Sequence, residues 1–224
     1  MTAALILSGG TGSRMGAAVP KQFLELKGKP ILLRTVEQFL SHPDIDTVCV
    51  VSGADFLDYT NDLLKTLKTD KPLFCVTGGA DRRDSSKNGL EALAACENAP
   101  DIVLIHDAAR PLVPHAVITN CIEGAKAHGA CTAAIPSQDT IAVADNGMIA
   151  DIPPRASLFA VQTPQAFAFD LILKAHRALP SSVPVTDDTA VVRYFGTPVA
   201  LAKGDKRSLK ITTQEDLVFA ESLL

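Results

Sequence analysis

No two of the five cysteines in this 224-residue chain, Cys49, Cys75, Cys96, Cys121 and Cys131, stand at CxxC spacing, and their number is odd. A regular disulfide framework and a zinc site built on paired ligands are thereby excluded, which leaves reduced thiols serving as small hydrophobes in a core. A basic excess is also missing, since 21 Lys and Arg face 25 Asp and Glu for a net charge of -4. A general nucleic-acid binder would carry the opposite balance, so any phosphate this chain meets must be held by a few local cations. No apolar run reaches membrane-spanning length, and the opening MTAALILSGG has neither a basic start nor the length of a signal-peptide core. No membrane or export role is expected, and the expected location is the cytoplasm. Internal repeats, low-complexity stretches and linkers are absent as well.

What remains is ordinary globular composition, 47% hydrophobic and 21% charged, in a length that suits one sizeable α/β domain over residues 1–224. Short apolar runs at residues 3–7, 47–51, 73–76, 102–105 and 131–135 are continuous instead of alternating, as strands buried on both faces of a parallel sheet require. Helical stretches at 31–40, 55–67, 85–95 and 114–128 fall between them, the last ending at Gly129. This alternation predicts a three-layer, doubly wound α/β fold with a mostly parallel sheet, Rossmann-like in outline. After Ile135 the pattern changes. Two extended pieces at 140–143 and 148–152 flank Asp145-Asn146-Gly147, which predicts a hairpin projecting as an arm over about residues 137–158.

Directly after the first strand comes Ser8-Gly9-Gly10-Thr11-Gly12-Ser13-Arg14-Met15-Gly16, followed by Pro20-Lys21-Gln22. Glycines at a strand's carboxyl end let backbone N–H groups approach a polyphosphate, and Arg14 and Lys21 can neutralise its charge. No Gly-Lys-Ser/Thr follows at Walker spacing, and Gly12 to Gly16 is one residue too long for the dinucleotide fingerprint. No acidic residue closes a second strand about 20 residues on, so hydride transfer is disfavoured. Asp107 ends the fourth strand within Ile105-His106-Asp107-Ala108-Ala109-Arg110-Pro111. A carboxylate there can hold Mg2+ or a substrate hydroxyl, or it can pair with Arg110 and fix the turn. A non-catalytic nucleotide sensor would need no such carboxylate. His106 has no nucleophile beside it and reads as structural.

The run from Gly9 to Gly16 with Pro20-Lys21-Gln22-Phe23 resembles the signature of sugar-phosphate nucleotidyltransferases, specifically the 2-C-methyl-D-erythritol 4-phosphate cytidylyltransferase family and its ribitol-5-phosphate relatives. Gly78-Gly79-Ala80-Asp81-Arg82-Arg83-Asp84-Ser85-Ser86-Lys87-Asn88-Gly89-Leu90 is similar to that family's base-recognition segment, although Asp84 or Ser85 would also serve as a helix N-cap. Asp139-Thr140, Gln162-Thr163-Pro164-Gln165-Ala166-Phe167, Thr186-Asp187-Asp188 and Ser208-Leu209-Lys210-Ile211-Thr212 complete the likeness in order.

The resemblance implies CTP and a sugar-alcohol phosphate as substrates, Mg2+ as the cation, and a homodimer joined through the arm. It places Leu7, Ser8, Gly9, Gly10, Gly12, Ser13, Gly79, Ala80, Ser85 and Ala108 against the nucleotide. Asp107, Arg110 and Thr140 fall to the acceptor. Arg14, Lys21, Arg155 and Lys210 would be catalytic, with Thr140 and Arg155 reaching the neighbouring subunit's site. The acceptor stays open between the two branches. Leu7-Ser8-Gly9-Gly10, Ala142 and Asp151-Ile152-Pro153-Pro154-Arg155 lean to ribitol phosphate, His106 to Pro111 and Ser85 to Leu90 lean to methylerythritol phosphate, and Ser208 stands where both carry asparagine. The methylerythritol reading is the leading one, and guanylyl or uridylyl transfer is the nearest rival chemistry.

Overall fold

A computed structural model describes residues 1–10 and 20–224. The chain runs β1 (Thr2–Ser8), β2 (Glu25–Leu26), β3 (Lys29–Pro30), α1 (Ile31–Leu40), β4 (Thr47–Ser52), α2 (Leu57–Leu64), β5 (Leu73–Thr77) and α3 (Arg82–Ala94). It continues through β6 (Ile102–Asp107), α4 (His115–His128), β7 (Ala130–Pro136), β8 (Val143–Asp145), β9 (Met148–Asp151) and β10 (Phe159–Ala168). Last come α5 (Phe169–Ala178), α6 (Asp188–Tyr194), β11 (Ala200–Lys203) and α7 (Gln214–Ser222).

Seven strands form the central sheet in the order β11-β7-β10-β6-β1-β4-β5. Its pairs are parallel except those of β10, which runs antiparallel between β6 and β7. Period-two alternation divides each strand between two cores. Ala4, Ile6, Val48, Val50 and Leu104 pack on one face with Val36 and Phe39 of α1 and Ile118 and Cys121 of α4. Ala3, Leu5, Cys49, Val51, Val103 and Ile105 pack on the other with Leu90 and Leu93 of α3, Ile172 of α5 and Val191 and Val192 of α6. A third, smaller cluster of Leu26, Ile31, Leu112, Ile211, Leu217 and Ala220 docks α7 and brings the C-terminal segment back to the sheet.

Most expected elements appear, with corrections. The second helix is shorter, because a 3-10 turn at Ala54–Phe56 precedes α2 and the chain turns after Leu64. Helix α3 starts at Arg82, and its N-cap is Asp81, not Asp84 or Ser85: the Asp84 N–H donates to Asp81 Oδ1 at 2.8 Å. The arm strands are β8 and β9, so Thr140 lies outside them, and both turn residues, Asn146 (φ 47°) and Gly147 (φ 80°), adopt the left-handed backbone that a tight Asn-Gly hairpin requires. These strands pair only with each other, and residues 138–152 are exposed. Cys49, Cys121 and Cys131 are buried thiols, but Cys96 is a surface residue. Among the described residues no helix is long and apolar enough to cross a membrane.

Close packing of α3 on the sheet depends on Gly89. A Cβ there would fall 2.3 Å from Leu5 Cδ1 and 2.8 Å from Val51 Cγ2, both on fully buried side chains. Gly89→Ala gains helix propensity of ~1 kcal/mol, but overpacking a filled core costs about 1–3 kcal/mol. A lower thermal midpoint is the expected result, and a higher one would show that α3 rides free of β1 and β4.

Candidate active site

Open α/β sheets bind ligands where their strands end, and here the ends of β1 and β6 meet the loop from β5 into α3. They bound a cleft of ≈ 340 Å³ lined by Leu7, Ser8, Gly9, Gly10, Lys21, Gln22, Gly79, Ala80, Asp81, Arg82, Ser85, Asp107, Ala108, Ala109 and Lys210.

Each wall is fixed by backbone chemistry. Buried Gln22 donates from Nε2 to the Ser8 carbonyl at 2.7 Å, which ties the turn carrying Lys21 to the end of β1. On the opposite wall Ser85 Oγ donates to the Asp81 carbonyl at 2.7 Å and accepts the Gly79 N–H at 3.1 Å. Glycine is required at 79, since a Cβ would lie 2.2 Å from Asp84 Cβ and 2.9 Å from the Asp84 carbonyl carbon. The loop's shape therefore depends on Ser85, whose hydroxyl is engaged within the loop itself.

Asp107 sits on the floor at the end of β6. Its Oδ2 lies 2.9 Å from Lys210 Nζ and 3.5 Å from Arg110 Nε, and its Oδ1 lies 3.7 Å from Arg82 Nη2. Burial alone would raise this carboxyl's pKa, but the charges of Lys210, Arg82 and Arg110 outweigh it and hold the group well below the usual carboxylate range. It stays ionised at any working pH. The Arg110 pairing that would fix the turn is thus present, within a larger cationic setting. Arg110 points away from the lining and donates from Nη1 to the Ser208 carbonyl at 2.7 Å. Because the backbone of Ser208 makes that contact, the contact does not depend on whether serine or asparagine stands there. The Ile211 N–H donates to the Ala109 carbonyl at 2.8 Å, which secures the segment presenting Lys210.

His106 is structural, as its sequence context suggested. The buried ring packs 4.8 Å from Phe39, with Nε2 3.2 Å from the Arg110 carbonyl and Nδ1 3.1 Å from Thr163 Oγ1. A carbonyl only accepts, so Nε2 carries the proton and Nδ1 accepts from Thr163, whose oxygen in turn accepts the Asp107 N–H at 3.1 Å. Burial lowers the His106 pKa to about 4, and the ring is neutral near pH 7.

The cleft brings together Leu7, Ser8, Gly9, Gly10, Lys21, Gly79, Ala80, Ser85, Asp107, Ala108 and Lys210 from the expected site. Gly12, Ser13 and Arg14 lie outside the described residues. Thr140 and Arg155 do not line this chain's cleft; they meet on the exposed arm, where Arg155 Nη2 donates to Thr140 Oγ1 at 2.8 Å. Sequence reasoning missed Gln22, Asp81, Ala109 and above all Arg82 as lining residues. All four stand inside motifs already quoted for their neighbours, and that was the one signal they carried.

As for a metal, the described residues contain no group of three or more His, Cys, Asp or Glu able to hold one. Asp107 could lend oxygen to an ion that arrives on a polyphosphate, because Mg2+ needs only one or two protein carboxylates when phosphates supply the rest.

Comparison with known proteins agrees with this geometry. The 2-C-methyl-D-erythritol 4-phosphate cytidylyltransferase of Syntrophotalea carbinolica is 43% identical over 222 residues, covering 98% of this chain and 94% of that protein. The enzyme of the same name from Clostridium perfringens is 42% identical over 97% of this chain and 96% of its own length. The crystal structure of 4-diphosphocytidyl-2C-methyl-D-erythritol synthase from Anaerococcus prevotii superposes with a TM-score of 0.85 at 28% identity, covering 100% of this chain and 97% of that one. With the model of one family matching residues 2–224, the chain belongs to the IspD, or 2-C-methyl-D-erythritol 4-phosphate cytidylyltransferase, family.

Proposed function

We propose that this chain transfers CMP from CTP to 2-C-methyl-D-erythritol 4-phosphate and releases pyrophosphate, a step of isoprenoid precursor synthesis in the cytoplasm. The observation that carries the reading is the cleft itself: Lys21, Lys210 and Arg82 converge with Asp107 beside backbone amides at the end of β1. The names borne by relatives 42–43% identical favour methylerythritol phosphate over ribitol phosphate as acceptor.

In this reading a phosphate oxygen of the acceptor attacks the α-phosphorus of CTP. The new P–O bond forms as the bond to the β-phosphate oxygen breaks, and the charge leaves on pyrophosphate. The protein's contribution is position and charge. Gly9 and Gly10 offer N–H groups to the phosphates, Lys21 faces the charge that builds on the α-phosphate and the leaving group, a role the family resemblance also gives to Arg14, and the Gly79–Ser85 loop frames the cytosine. Lys210 approaches the acceptor's phosphate with Asp107 holding it at 2.9 Å, while Arg110, turned away from the lining, steadies Asp107 and the Ser208 carbonyl. Bound with CTP, Mg2+ would neutralise phosphate charge, and Asp107 is the residue that would lend it an oxygen.

Thr140 and Arg155 are read as acting in the cleft of a second copy. The arm supports this, because Ile141, Val143, Met148, Ile149 and Ile152 are exposed, Met148 at 73% and Ile149 at 67%, on a hairpin with no sheet to cover it. A homodimer joined through the arms would bury them.

Pyrophosphate release from CTP and Mg2+, measured in parallel with methylerythritol 4-phosphate and ribitol 5-phosphate, tests the assignment. Turnover at least tenfold faster with the first acceptor is expected. Preference for ribitol 5-phosphate would move the protein to CDP-ribitol synthesis, and release with neither would reject the cytidylyl-transfer reading.

A further inference from the structure

Arg82 is the first residue of α3, and its guanidinium lies between two carboxylates from opposite parts of the chain. Nη1 is hydrogen-bonded to Asp188 Oδ2, and Nη2 faces Asp107 Oδ1 across 3.7 Å, too far for a hydrogen bond. Asp188 is 1% exposed and does not reach the cleft. Its other oxygen lies 3.0 Å from Nε2 of buried His176 on α5, and its N–H donates to Gln165 Oε1 at 3.1 Å. A buried carboxylate is costly unless its oxygens are satisfied, and here both are. One edge of Arg82 is therefore anchored in the core while the other remains directed at the cleft.

Three cations, Arg82, Arg110 and Lys210, share Asp107, and only Lys210 is at hydrogen-bond distance. Freed from Asp188, the planar fork of Arg82 would close on Asp107 and compete with Lys210 for it. We propose that Asp188, backed by His176, is a positioning residue for nucleotidyl transfer: it restrains Arg82 so that Nη2 meets a phosphate oxygen of the bound substrates and Lys210 keeps its place on Asp107. The inference rests on the cytidylyltransferase reading, and Asp188 acts only through Arg82.

Steady-state rates of the full chain with Mg2+, CTP and methylerythritol 4-phosphate test it through a double-mutant cycle. Arg82→Gln and Asp188→Asn should each lower kcat/KM by about 10- to 100-fold, and the double variant should fall within about threefold of Arg82→Gln alone, as members of one unit do. Losses that multiply, or Asp188→Asn within twofold of the wild type, would overturn the proposal. A thermal melt reports folding. If Asp188→Asn does not fold, His176→Leu takes its place in the cycle with the same two outcomes, and His176→Gln, which keeps an N–H for Asp188, should recover most of the loss. No turnover by the wild type would overturn the enzymatic reading and this inference together, whereas a wild-type rate retained by Asp188→Asn removes this inference alone.

Discussion

Lys21→Ala should lower turnover with CTP and methylerythritol 4-phosphate by roughly 10²- to 10³-fold, the loss that follows removal of one preorganised donor to developing charge. The thermal midpoint should move by no more than about 2 °C, since Lys21 is half-buried at the cleft and outside the core clusters, and substitutions outside a core usually stay within about 0.5 kcal/mol. The separation of the two effects follows from how the turn at Lys21–Phe23 is held. Gln22 donates to the Ser8 carbonyl at 2.7 Å, and buried Phe23 packs against Phe56 and Tyr59 with ring centroids 5.4 and 5.0 Å apart. These neighbours carry the fold, whereas the Lys21 side chain lines the cleft. kcat and a melting curve on the same preparation check both halves. Near-normal turnover would remove Lys21 from the chemistry, and a large fall in the midpoint would recast it as structural.

The parallel half of the sheet was readable because its strands are uninterrupted apolar runs, which only burial on both faces explains. β10 was not readable as a strand, for the opposite reason. Its middle, Gln162-Thr163-Pro164-Gln165, is polar and contains proline, and its pairing with β7 shifts register between Val161 and Gln165. The polar side chains are there to work. Gln162 Nε2 donates to the Asp205 carbonyl at 2.9 Å, Thr163 accepts the Asp107 N–H, and Gln165 Nε2 donates to Asp187 Oδ2 at 2.9 Å. A strand spent on organising a site loses the hydrophobic period that would announce it.

The candidate site divides in the same way. Glycines at a strand end and a carboxylate closing β6 carry their chemistry locally, so Gly9, Gly10 and Asp107 could be argued from residue types alone. Lys210 could not, because in isolation it is an ordinary lysine, and only the folded chain brings it to Asp107 from 103 positions away (210 minus 107). Arg82 and Asp188 pair across a separation of 106 residues, for which no local pattern exists. Helix capping shows the limit at short range: Asp81, Asp84 and Ser85 are all capping residues by type, and the structure caps with Asp81, whose backbone is extended and whose Oδ1 accepts the Asp84 N–H at 2.8 Å.

Arg155→Ala and Lys210→Ala should each lose nearly all activity alone and regain part of it when mixed. Lys210 belongs to the cleft of its own chain, at 2.9 Å from Asp107. Arg155 instead bonds Thr140 on the exposed arm and contributes nothing to that cleft. If two copies exchange arms, a heterodimer of the variants contains one site with both residues intact and one with neither. Random reassortment of equal amounts makes half of the dimers mixed, so recovery approaches about a quarter of the wild-type rate, as a two-fold symmetric assembly dictates. Recovery should appear only after subunit exchange, and size-exclusion chromatography should find both variants dimeric. Dimers that exchange without recovery would mean that Arg155 serves a site on its own chain. A monomer would leave the apolar arm without the partner that its composition calls for.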